Sequence, residues 1–384
     1  IFVSNRYLPR RILLLTGCFA RAAAEHHSIS RLWKQSSGLM ARSVTQNAGD
    51  HGEHYITRDK KEYWAMFYSA AGGGVLIALM ALFKTYLGSI IDDKVWKGIA
   101  EGLNYGLGFM VIFMLHFTVA TKQPAMTAAR FAEAVEKTPQ GKTVNMKLAQ
   151  LLVDVFRSQS IAVLGNVLIA MGLAALIAFG YQYKTGEPLM NADQIAYQLH
   201  SIDPFAGTLW FAAIAGVWLF CSGIISGYFD NRSNYLNMRM RLTQHPLLKK
   251  LMSEKTRVKF ANYMHENYGS LIGNLCFGML LGITGVVGYL THLPLDIRHV
   301  AFSSANVGYI AVSGQFTYSL LLQCIGFVLL IGLVNLIVSF SLTLWVALRS
   351  LNAEIESWWP IWYEVCQIVK KRPLSLFFPV QLDK

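Results

Sequence analysis

Long runs without a charged residue dominate the chain from residue 63 onward. A membrane-spanning helix needs about 20 mostly apolar residues, and six uncharged runs reach that length. The runs are Tyr63–Phe83, Gly102–Thr121, Ser158–Tyr183, Pro204–Phe229, Asn267–Leu295 and His299–Leu348. The last run is too long for one span and contains the polar stretch Ser303–Gln315, so we place the sixth helix at about Tyr318–Leu348. The pattern predicts an all-α polytopic membrane protein with six transmembrane helices.

The charges in the connections predict how these helices are oriented. Of the 34 Lys and Arg residues, 29 lie in the N-terminal segment, the second and fourth connections and the C-terminal tail, together with 15 of the 22 acidic residues. These segments carry a net charge of +14, whereas the other three connections carry −2. Because cytoplasmic segments of membrane proteins are enriched in Lys and Arg, we expect three helical hairpins with both termini in the cytosol.

The predicted organisation has three parts. Residues 1–62 form a cytosolic helical segment that ends in a linker, and residues 63–348 form the six-helix membrane domain. Helical cytosolic loops interrupt this domain at 122–157 and 230–266. The remaining residues, 349–384, form a tail rich in aromatic residues, which we expect at the cytosolic membrane interface because aromatic rings favour the headgroup level.

Two predicted spans share a local signature. Gly165-Asn166 and Gly180-Tyr181 bracket the third span, and Gly273-Asn274 and Gly288-Tyr289 bracket the fifth span at the same separation. This spacing favours a duplication of the second and third hairpins, although four matched positions also arise by chance among 31 glycines. We therefore carry the hairpin repeat forward as a hypothesis.

The composition agrees with a membrane protein. Apolar residues make up 54% of the chain and charged residues 15%, where soluble domains have about 25% charged residues, and the mean hydropathy is +0.37. Five cysteines are scattered without CxxC spacing, so neither a disulfide framework nor a thiolate metal site is predicted. The chain opens at Ile1 without a signal-peptide pattern, and we expect it to be the later part of a longer protein.

Polar side chains inside the predicted spans are the first candidate functional groups, because such groups are costly in lipid. The candidates are Glu101, Asn104, His116, Asn166 and Asn274. Glu101 and His116 lie near opposite ends of the second span, where contact with lipid headgroups competes with a role in proton transfer. Asn166 and Asn274 lie deeper, and each predicts either an interhelical hydrogen bond or a polar cavity.

Basic residues of the longest cytosolic loop are the second group of candidates. We select Arg232, Arg239, Arg241, Lys249 and Lys250. Near a bilayer such residues bind anionic lipid headgroups, and the same surface could hold the phosphates of a nucleic acid. Because orientation in the membrane alone also explains the charge, these side chains are candidate contacts for anionic lipid or phosphate.

Motifs for catalysis are missing from the sequence. The segment His51–His54 reads HGEH, but no second pair of ligands follows at the spacing of a zinc site, so we predict neither a metal nor another cofactor. No Gly-x-Ser-x-Gly elbow and no His-Glu-x-x-His motif occurs. The sequence thus contains no catalytic constellation and leaves open whether the protein is an enzyme.

Four segments carry a resemblance to a known family. They are HGEHYITRDKKEYWAMFYSAAGGG at His51–Gly74, LNYGLGFM at Leu103–Met110, ATKQPAMTAARFAEAV at Ala120–Val135 and SGYFDNR at Ser226–Arg232. These segments resemble the Gcr-type site-specific recombinase family of bacterial membrane proteins, and the similarity runs from about Ser30 to the C-terminus. The resemblance implies a Gram-negative inner-membrane protein with a further cytosolic helical region ahead of this chain, and an activity in DNA recombination.

The residues themselves do not favour strand exchange. None of the 10 His residues is followed by Arg at the third position, as the His-x-x-Arg motif of tyrosine recombinases requires, and no nucleophile motif of a serine recombinase occurs. Asp92 and Asp93, which could hold a metal ion, lie in a predicted outer loop. We therefore predict a membrane scaffold, lipid-binding or transport component, with DNA recombination as the alternative. The expected partners are membrane lipids and a protein partner or second copy; nucleic acid is a further possible partner that no motif supports.

Overall fold

A computed structural model describes residues 16–18, 56–57, 59–120, 123–136, 142–313, 316–351, 355 and 357–379. The prediction of an all-α protein is confirmed, since these residues form helices and no strand. The HGEH segment and nearly all of the N-terminal segment lie outside the described residues.

From Lys60 onward, twelve α-helices follow one another in the described part of the chain. They are α1 Lys60–Ile90, α2 Lys94–Met114, α3 Gln123–Glu136, α4 Lys142–Thr185, α5 Ala192–Ile202, α6 Thr208–Tyr235, α7 Met238–Gln244, α8 Pro246–Leu251, α9 Glu254–Thr291, α10 Val300–Ile310, α11 Tyr318–Leu351 and α12 Trp359–Lys371. Two 3₁₀ helices, Pro204–Ala206 and Pro373–Leu376, follow α5 and α12.

Five of the predicted spans correspond to helices that are long and apolar enough to cross a membrane, namely α1, α4, α6, α9 and α11. The predicted start of the last span at Tyr318 is confirmed. The second predicted run lies largely in α2, which is shorter and has Lys94, Lys97 and Glu101 in its first turns. The chain is therefore a multi-pass membrane protein by the length and composition of these five helices.

Helices α2 and α9 cross at paired glycines. A Cβ atom on Gly278 would lie 2.0 Å from the Gly106 nitrogen, and one on Gly282 would lie 2.4 Å from the Gly102 Cα. These contacts run in opposite directions along the two chains, so α2 and α9 are antiparallel. Close approach of backbones through small residues is a standard way to associate helices in lipid, and here the two Gly-x-x-x-Gly pairs face each other.

Asn166 of α4 connects three backbone groups of other segments. Its amide nitrogen donates to the Ala70 carbonyl of α1 and to the Thr118 carbonyl, 2.9 Å away. Its amide oxygen accepts from the Ala120 N–H at 2.8 Å. Thr118 and Ala120 belong to the break between α2 and α3, where backbone groups lack helical partners. The side chain thus provides hydrogen bonds to an irregular segment that is buried inside the bundle.

Asn335 of α11 makes the same three kinds of hydrogen bond in another part of the molecule. Its amide nitrogen donates to the Ala212 carbonyl of α6 at 2.7 Å and to the Arg298 carbonyl at 3.0 Å. Its amide oxygen accepts from the Val300 N–H at 3.2 Å. Arg298 and Val300 belong to the break between α9 and α10. Both asparagines therefore hold a parallel neighbouring helix and a broken segment together.

These matching contacts reveal two halves of similar architecture. In the first half the order is α1, α2, α3, α4, α5 and a 3₁₀ helix. In the second half α6, α9, α10, α11, α12 and a 3₁₀ helix follow in the corresponding order, with α7 and α8 as additions. The separation between Pro204 and Pro373, which start the 3₁₀ helices, equals that between Asn166 and Asn335. Because α1 and α2, α2 and α9, and α9 and α6 are antiparallel in turn, the second half is inverted relative to the first.

The hypothesis of a repeat between the second and third hairpins is corrected by these contacts. Asn166 corresponds to Asn335 and not to Asn274, whose side chain donates to the Ser270 carbonyl of its own helix at 2.8 Å. Helices α4 and α6 follow each other in the chain but pack on different main partners, α1 and α10 for α4 and α9 and α11 for α6. The packing contacts therefore do not support a correspondence between the second and third hairpins.

The short helix α10 lies inside the bundle, where the sequence pattern had placed a polar connection. Ten of its 11 residues are buried, and its Gly308 contacts the Met171 carbonyl of α4. In the matching position of the other half, Ala128 and Phe131 of α3 pack with Leu344 of α11. Each half therefore inserts its short helix against a long helix of the other half, which interlocks the two.

Candidate functional site

A polar cavity of about 440 Å³ opens between α1, α2, α5 and α10. It lies at the end of the bundle where α1 ends and α2 begins, which we call the Ile90 end; the opposite end, where α6 approaches α7, is the Arg232 end. Six charged residues line the cavity: Lys84, Lys97, Glu101, Asp193, Asp296 and Arg298. The positive and negative side chains are equal in number, so the lining carries no net formal charge.

Lys84 and Glu101 form an ion pair across the cavity between α1 and α2. Their charged atoms are 3.5 Å apart, and the side chains are 38% and 14% exposed. At 1.5 Å per residue, each lies about 10 Å inside the helix end at Ile90 or Lys94. The connection between the two helices is short, so both groups lie at a similar depth. Asp93 fixes the start of α2 by accepting hydrogen bonds from the Val95 and Trp96 N–H groups.

Helix α5 forms one wall of the cavity near its mouth. Asn191 and Gln194 form a capping box that fixes the start of the helix, with hydrogen bonds of 2.8 and 3.0 Å. Asp193, Tyr197 and Gln198 line the cavity from this helix. Because the polar side chains come from a capped helix, their positions do not depend on a flexible loop.

The floor of the cavity is one face of α10 and its cap. His299, Phe302, Ser303 and Asn306 line it at the three- and four-residue spacing of a single helical face. The His299 ring lies 5.7 Å from the Phe302 ring, measured between centroids. It lies 5.9 Å from the Phe277 ring, well inside α9. The cavity therefore extends from the bundle end to the depth of the buried aromatic core.

Arg298 holds the segment before α10 in place. Its guanidinium donates to the Asp296 carboxylate at 2.6 Å and to the carbonyls of Ser201 and Ile297 at 2.8 Å each. It also lies 5.4 Å from the Phe211 ring centroid. Through its Nε and Nη1 groups Arg298 positions the cavity wall, and Lys84 and Lys97 are the other two basic side chains of the lining.

The Arg232 end is closed where the Ile90 end is open. By the correspondence of the two halves, Ser226 of α6 takes the place of Lys84, and Gly273 of α9 takes the place of Lys97. A Cβ atom on Gly273 would overlap the Ser226 hydroxyl, and the Asp230 carboxylate accepts from the Gly269 N–H at 2.9 Å. Helices α6 and α9 thus contact each other directly at this end, which leaves no space equivalent to the cavity between them.

Of the residues selected in the second span, only Glu101 lines the cavity. Asn104 donates to the Met80 carbonyl at 2.9 Å and thereby joins α2 to α1. His116 lies exposed at the other end of α2, with a left-handed backbone at φ 57°, and its carbonyl accepts from Ser69 Oγ at 3.0 Å. The structure therefore separates Glu101 from His116 and provides a structural role for Asn104.

The deeper asparagines and the basic loop lie away from the cavity. Asn166 forms the predicted interhelical hydrogen bonds, whereas Asn274 donates within α9. The side chains of Arg232, Arg239, Arg241, Lys249 and Lys250 are exposed at the Arg232 end. These five residues extend over α6, α7 and α8; we call them the basic surface, and its role in binding lipid or phosphate stays a prediction.

Sequence reasoning missed most of the cavity. Lys84 follows the first uncharged run directly, and it and Glu101 lie at equal distances from the turn between α1 and α2. Opposite charges placed symmetrically about a short helical turn are a signal that could have identified the pair. His299 and Asn306 gave no such signal, because α10 was not predicted.

A comparison with protein families identifies the relatives of this chain. A family model described as site-specific recombinase matches residues 4–379. The chain belongs to the site-specific recombinase family. This match confirms the family that the sequence resembles. Comparisons with curated proteins and with solved structures gave no significant match.

Among the described residues of this site-specific recombinase family member, no cluster of three or more His, Cys, Asp or Glu side chains that could hold a metal ion occurs. Asp93 instead accepts hydrogen bonds from the start of α2. The cavity at the Ile90 end brings together six charged side chains of this family member.

Proposed function

We propose that this protein is a transport component of the bacterial inner membrane that moves a small polar solute by alternating access. The observation that supports this most strongly is an inverted repeat in which one half is open and the matching half is closed. Many transporters consist of inverted repeats, with the binding site near the bilayer midplane at broken helices. The breaks before α3 and α10 and the polar cavity agree with this architecture.

The proposal includes α2 as a sixth span and both termini in the cytosol. Helix α2 packs antiparallel along α9 between Gly98 and Gly106, so it occupies the same layer of the bundle as a helix long enough to span the membrane. The basic surface at the Arg232 end then faces the cytosol, as the distribution of Lys and Arg predicts. In this orientation the basic surface contacts anionic lipid headgroups, and the cavity opens to the periplasm.

Alternating access requires that the Arg232 end opens when the Ile90 end closes. Ser226 supports this, since its Oγ is buried at the closed end and has no hydrogen-bond partner among the described residues. A buried hydroxyl without a partner is unfavourable by about 1–3 kcal/mol, and solvent in an opened conformation would satisfy it. The closed end is therefore less stable than a fully satisfied interface of the same size.

Thiol labelling from each side of the membrane tests the proposal. In a variant without native cysteines, we expect Asn306→Cys to react with a membrane-impermeant maleimide from the periplasmic side and Ser226→Cys to react from the cytosolic side. The matched control is Ala305→Cys, whose position beside Asn306 is fully buried and should stay unlabelled. If Ser226→Cys resists the reagent from the cytosolic side under all conditions, alternating access is excluded and a scaffold role remains.

Direct DNA strand exchange is the competing function, because it is what the family description names. The basic surface at the Arg232 end would have to hold the duplex, since phosphate contacts supply most nonspecific DNA affinity. We expect no duplex binding by the purified protein at about 150 mM salt, where a few Arg and Lys contacts to phosphate are strongly weakened. Specific DNA binding or cleavage under these conditions would support strand exchange and contradict the transport proposal.

A further inference from the structure

We propose that the cavity binds a small zwitterion, a molecule that carries both an ammonium and a carboxylate group, between Lys84 and Glu101. That this zwitterion is the transported solute rests on the proposed function, whereas its binding to the cavity can be measured independently. The inference follows from the geometry of the ion pair, from the balance of charge around it and from the surroundings of the pair.

The Lys84–Glu101 pair is loose and faces open space. A well-formed charge-assisted hydrogen bond is about 2.7–2.9 Å long, whereas these charged atoms are 3.5 Å apart. Both side chains line the cavity, and the Lys84 ammonium lies 5.7 Å from the Tyr105 ring centroid. A ligand can therefore reach both charges from the cavity without moving a helix.

A ligand that separates the pair must compensate both partners. Removing one partner of the ion pair leaves an unpaired charge, which is most unfavourable for Glu101 because its side chain is only 14% exposed. A simple anion would satisfy Lys84 and leave Glu101 unpaired, and a simple cation would do the reverse. A zwitterion places its carboxylate at Lys84 and its ammonium at Glu101, so that both protein charges keep a partner of opposite sign.

The other charges of the cavity favour an electroneutral ligand. Arg298 and Asp296 neutralise each other at 2.6 Å, and Lys97 and Asp193 contribute one charge of each sign near the mouth. The cavity is therefore neutral both before and after a zwitterion enters. An ion of either sign would bring a net charge into the interior of the membrane protein, where charge is poorly solvated.

The remaining lining provides space and contacts for an uncharged side group. Tyr105 and Phe302 form an aromatic pair with centroids 4.5 Å apart, and Ser303 and Asn306 add polar groups on the floor. The volume lies within the range of small-molecule sites. An α-amino acid fits this description, because its two charged groups share one end and its side chain extends from the other.

Equilibrium binding to the full chain in lipid nanodiscs at pH 7 tests the inference. The ligands are glycine and the other nineteen standard amino acids in their L forms, each measured separately, with acetate and ethylammonium as the two halves of the charged end. We expect at least one amino acid to bind with a dissociation constant below about 1 mM. Acetate and ethylammonium should bind at least about tenfold more weakly, and binding of the amino acid should neither take up nor release protons.

Variants then assign the binding to the ion pair. Glu101→Gln and Lys84→Met should each weaken the binding of that amino acid at least about tenfold. Glu187→Gln and Lys184→Met are matched controls, because these exposed residues lie at the same end of the bundle outside the cavity, and they should leave binding unchanged. The comparison of ligands on the unaltered chain needs no variant, so the test holds even if a substitution prevents folding.

Each other result overturns the inference in a recognisable way. Binding of acetate as tight as that of the amino acids, with uptake of one proton, indicates an anion taken up together with a proton on Glu101. Tight binding of ethylammonium with release of a proton indicates a cation that replaces the proton on Lys84. Absence of binding by all twenty amino acids excludes this ligand class, while thiol labelling of Ser226→Cys would still support transport of another solute.

Discussion

The Ile90 end and the Arg232 end are built from matching helices, yet one is open and the other is closed. At the Ile90 end, Lys84 and Glu101 stand between α1 and α2 and line a cavity. At the Arg232 end, Ser226 and Gly273 allow α6 and α9 to meet. The comparison teaches that two halves with the same arrangement of helices differ in conformation, one open and one closed, within one chain. Residue size and charge at equivalent positions favour one conformation in each half.

The contact between α2 and α9, which joins the two halves, should be the position most sensitive to added side-chain volume. We expect Gly278→Ile to prevent assembly of the bundle, because the new side chain would overlap the backbone of α2 at Gly106. Overpacking of a tight interface costs about 1–3 kcal/mol or more, and here it also separates the halves. Size-exclusion chromatography in detergent should show aggregated protein in place of a folded peak.

Gly285 offers the control for this change in the same helix. A Cβ atom there meets nothing within 4 Å, so Gly285→Ile should give a folded protein with the elution volume of the unaltered chain. If Gly278→Ile folds equally well, the contact between α2 and α9 does not hold the halves together, and their comparison as a symmetric pair loses its structural basis.

The asparagines should reveal whether the halves are held in the same way. We expect Asn166→Leu and Asn335→Leu to reduce stability by similar amounts, since each removes hydrogen bonds from three buried backbone groups. Each group left without a partner costs about 1–3 kcal/mol. Thermal unfolding of the detergent-solubilised chain measures the loss.

Asn104→Leu is the control for the asparagine variants, because the Asn104 side chain donates a single hydrogen bond, to the Met80 carbonyl. Its effect should be smaller than that of either buried asparagine. A large loss at Asn166 together with no loss at Asn335 would show that the two breaks are stabilised differently, and that the correspondence between the halves does not extend to their energetics.

The smallest effect should come from Ser226→Ala at the closed end. Removing a buried hydroxyl without a hydrogen-bond partner should stabilise the contact between α6 and α9 by about 1 kcal/mol. The open state of the Ile90 end then gains population, so periplasmic labelling of Asn306→Cys should rise by no more than about fivefold. Ser222→Ala is the control, because the Ser222 hydroxyl donates to the Leu219 carbonyl at 2.9 Å. A decrease in labelling with Ser226→Ala would contradict the assignment of the Arg232 end as the opposing gate.

The membrane class and most helix positions could be predicted from the sequence because lipid imposes a simple rule. A helix that crosses hydrocarbon needs a long apolar run, and runs such as the one that starts at Tyr318 mark helices directly. Helix α2 met this rule less well because Lys94, Lys97 and Glu101 lower the hydropathy of its first turns. The rule for membrane spans could not predict α10, since a short buried helix has no length requirement and no alternation of polar and apolar faces.

The candidate site was predictable only in its member Glu101. An ionisable residue at the edge of a span can be recognised from the sequence alone. Its partner Lys84, however, lies on another helix, and the lining helices α5 and α10 lie far away in the chain. The hairpin repeat was incorrectly assigned for a related reason. Gly-Asn pairs recur in the sequence, but only the contacts show that Asn166 and Asn335 bind equivalent backbone groups.

By itself, the sequence determined that this chain forms apolar helices with a one-sided distribution of charge, because both properties depend on residues taken one segment at a time. The tertiary structure alone decided which helices pack together, that the second half inverts the first, and that six charged side chains share one cavity. The physical reason is that hydrophobicity acts on each segment independently. Close packing at glycines such as Gly106 and Gly278, and hydrogen bonds from buried asparagines, depend on pairs of residues that the chain order keeps apart.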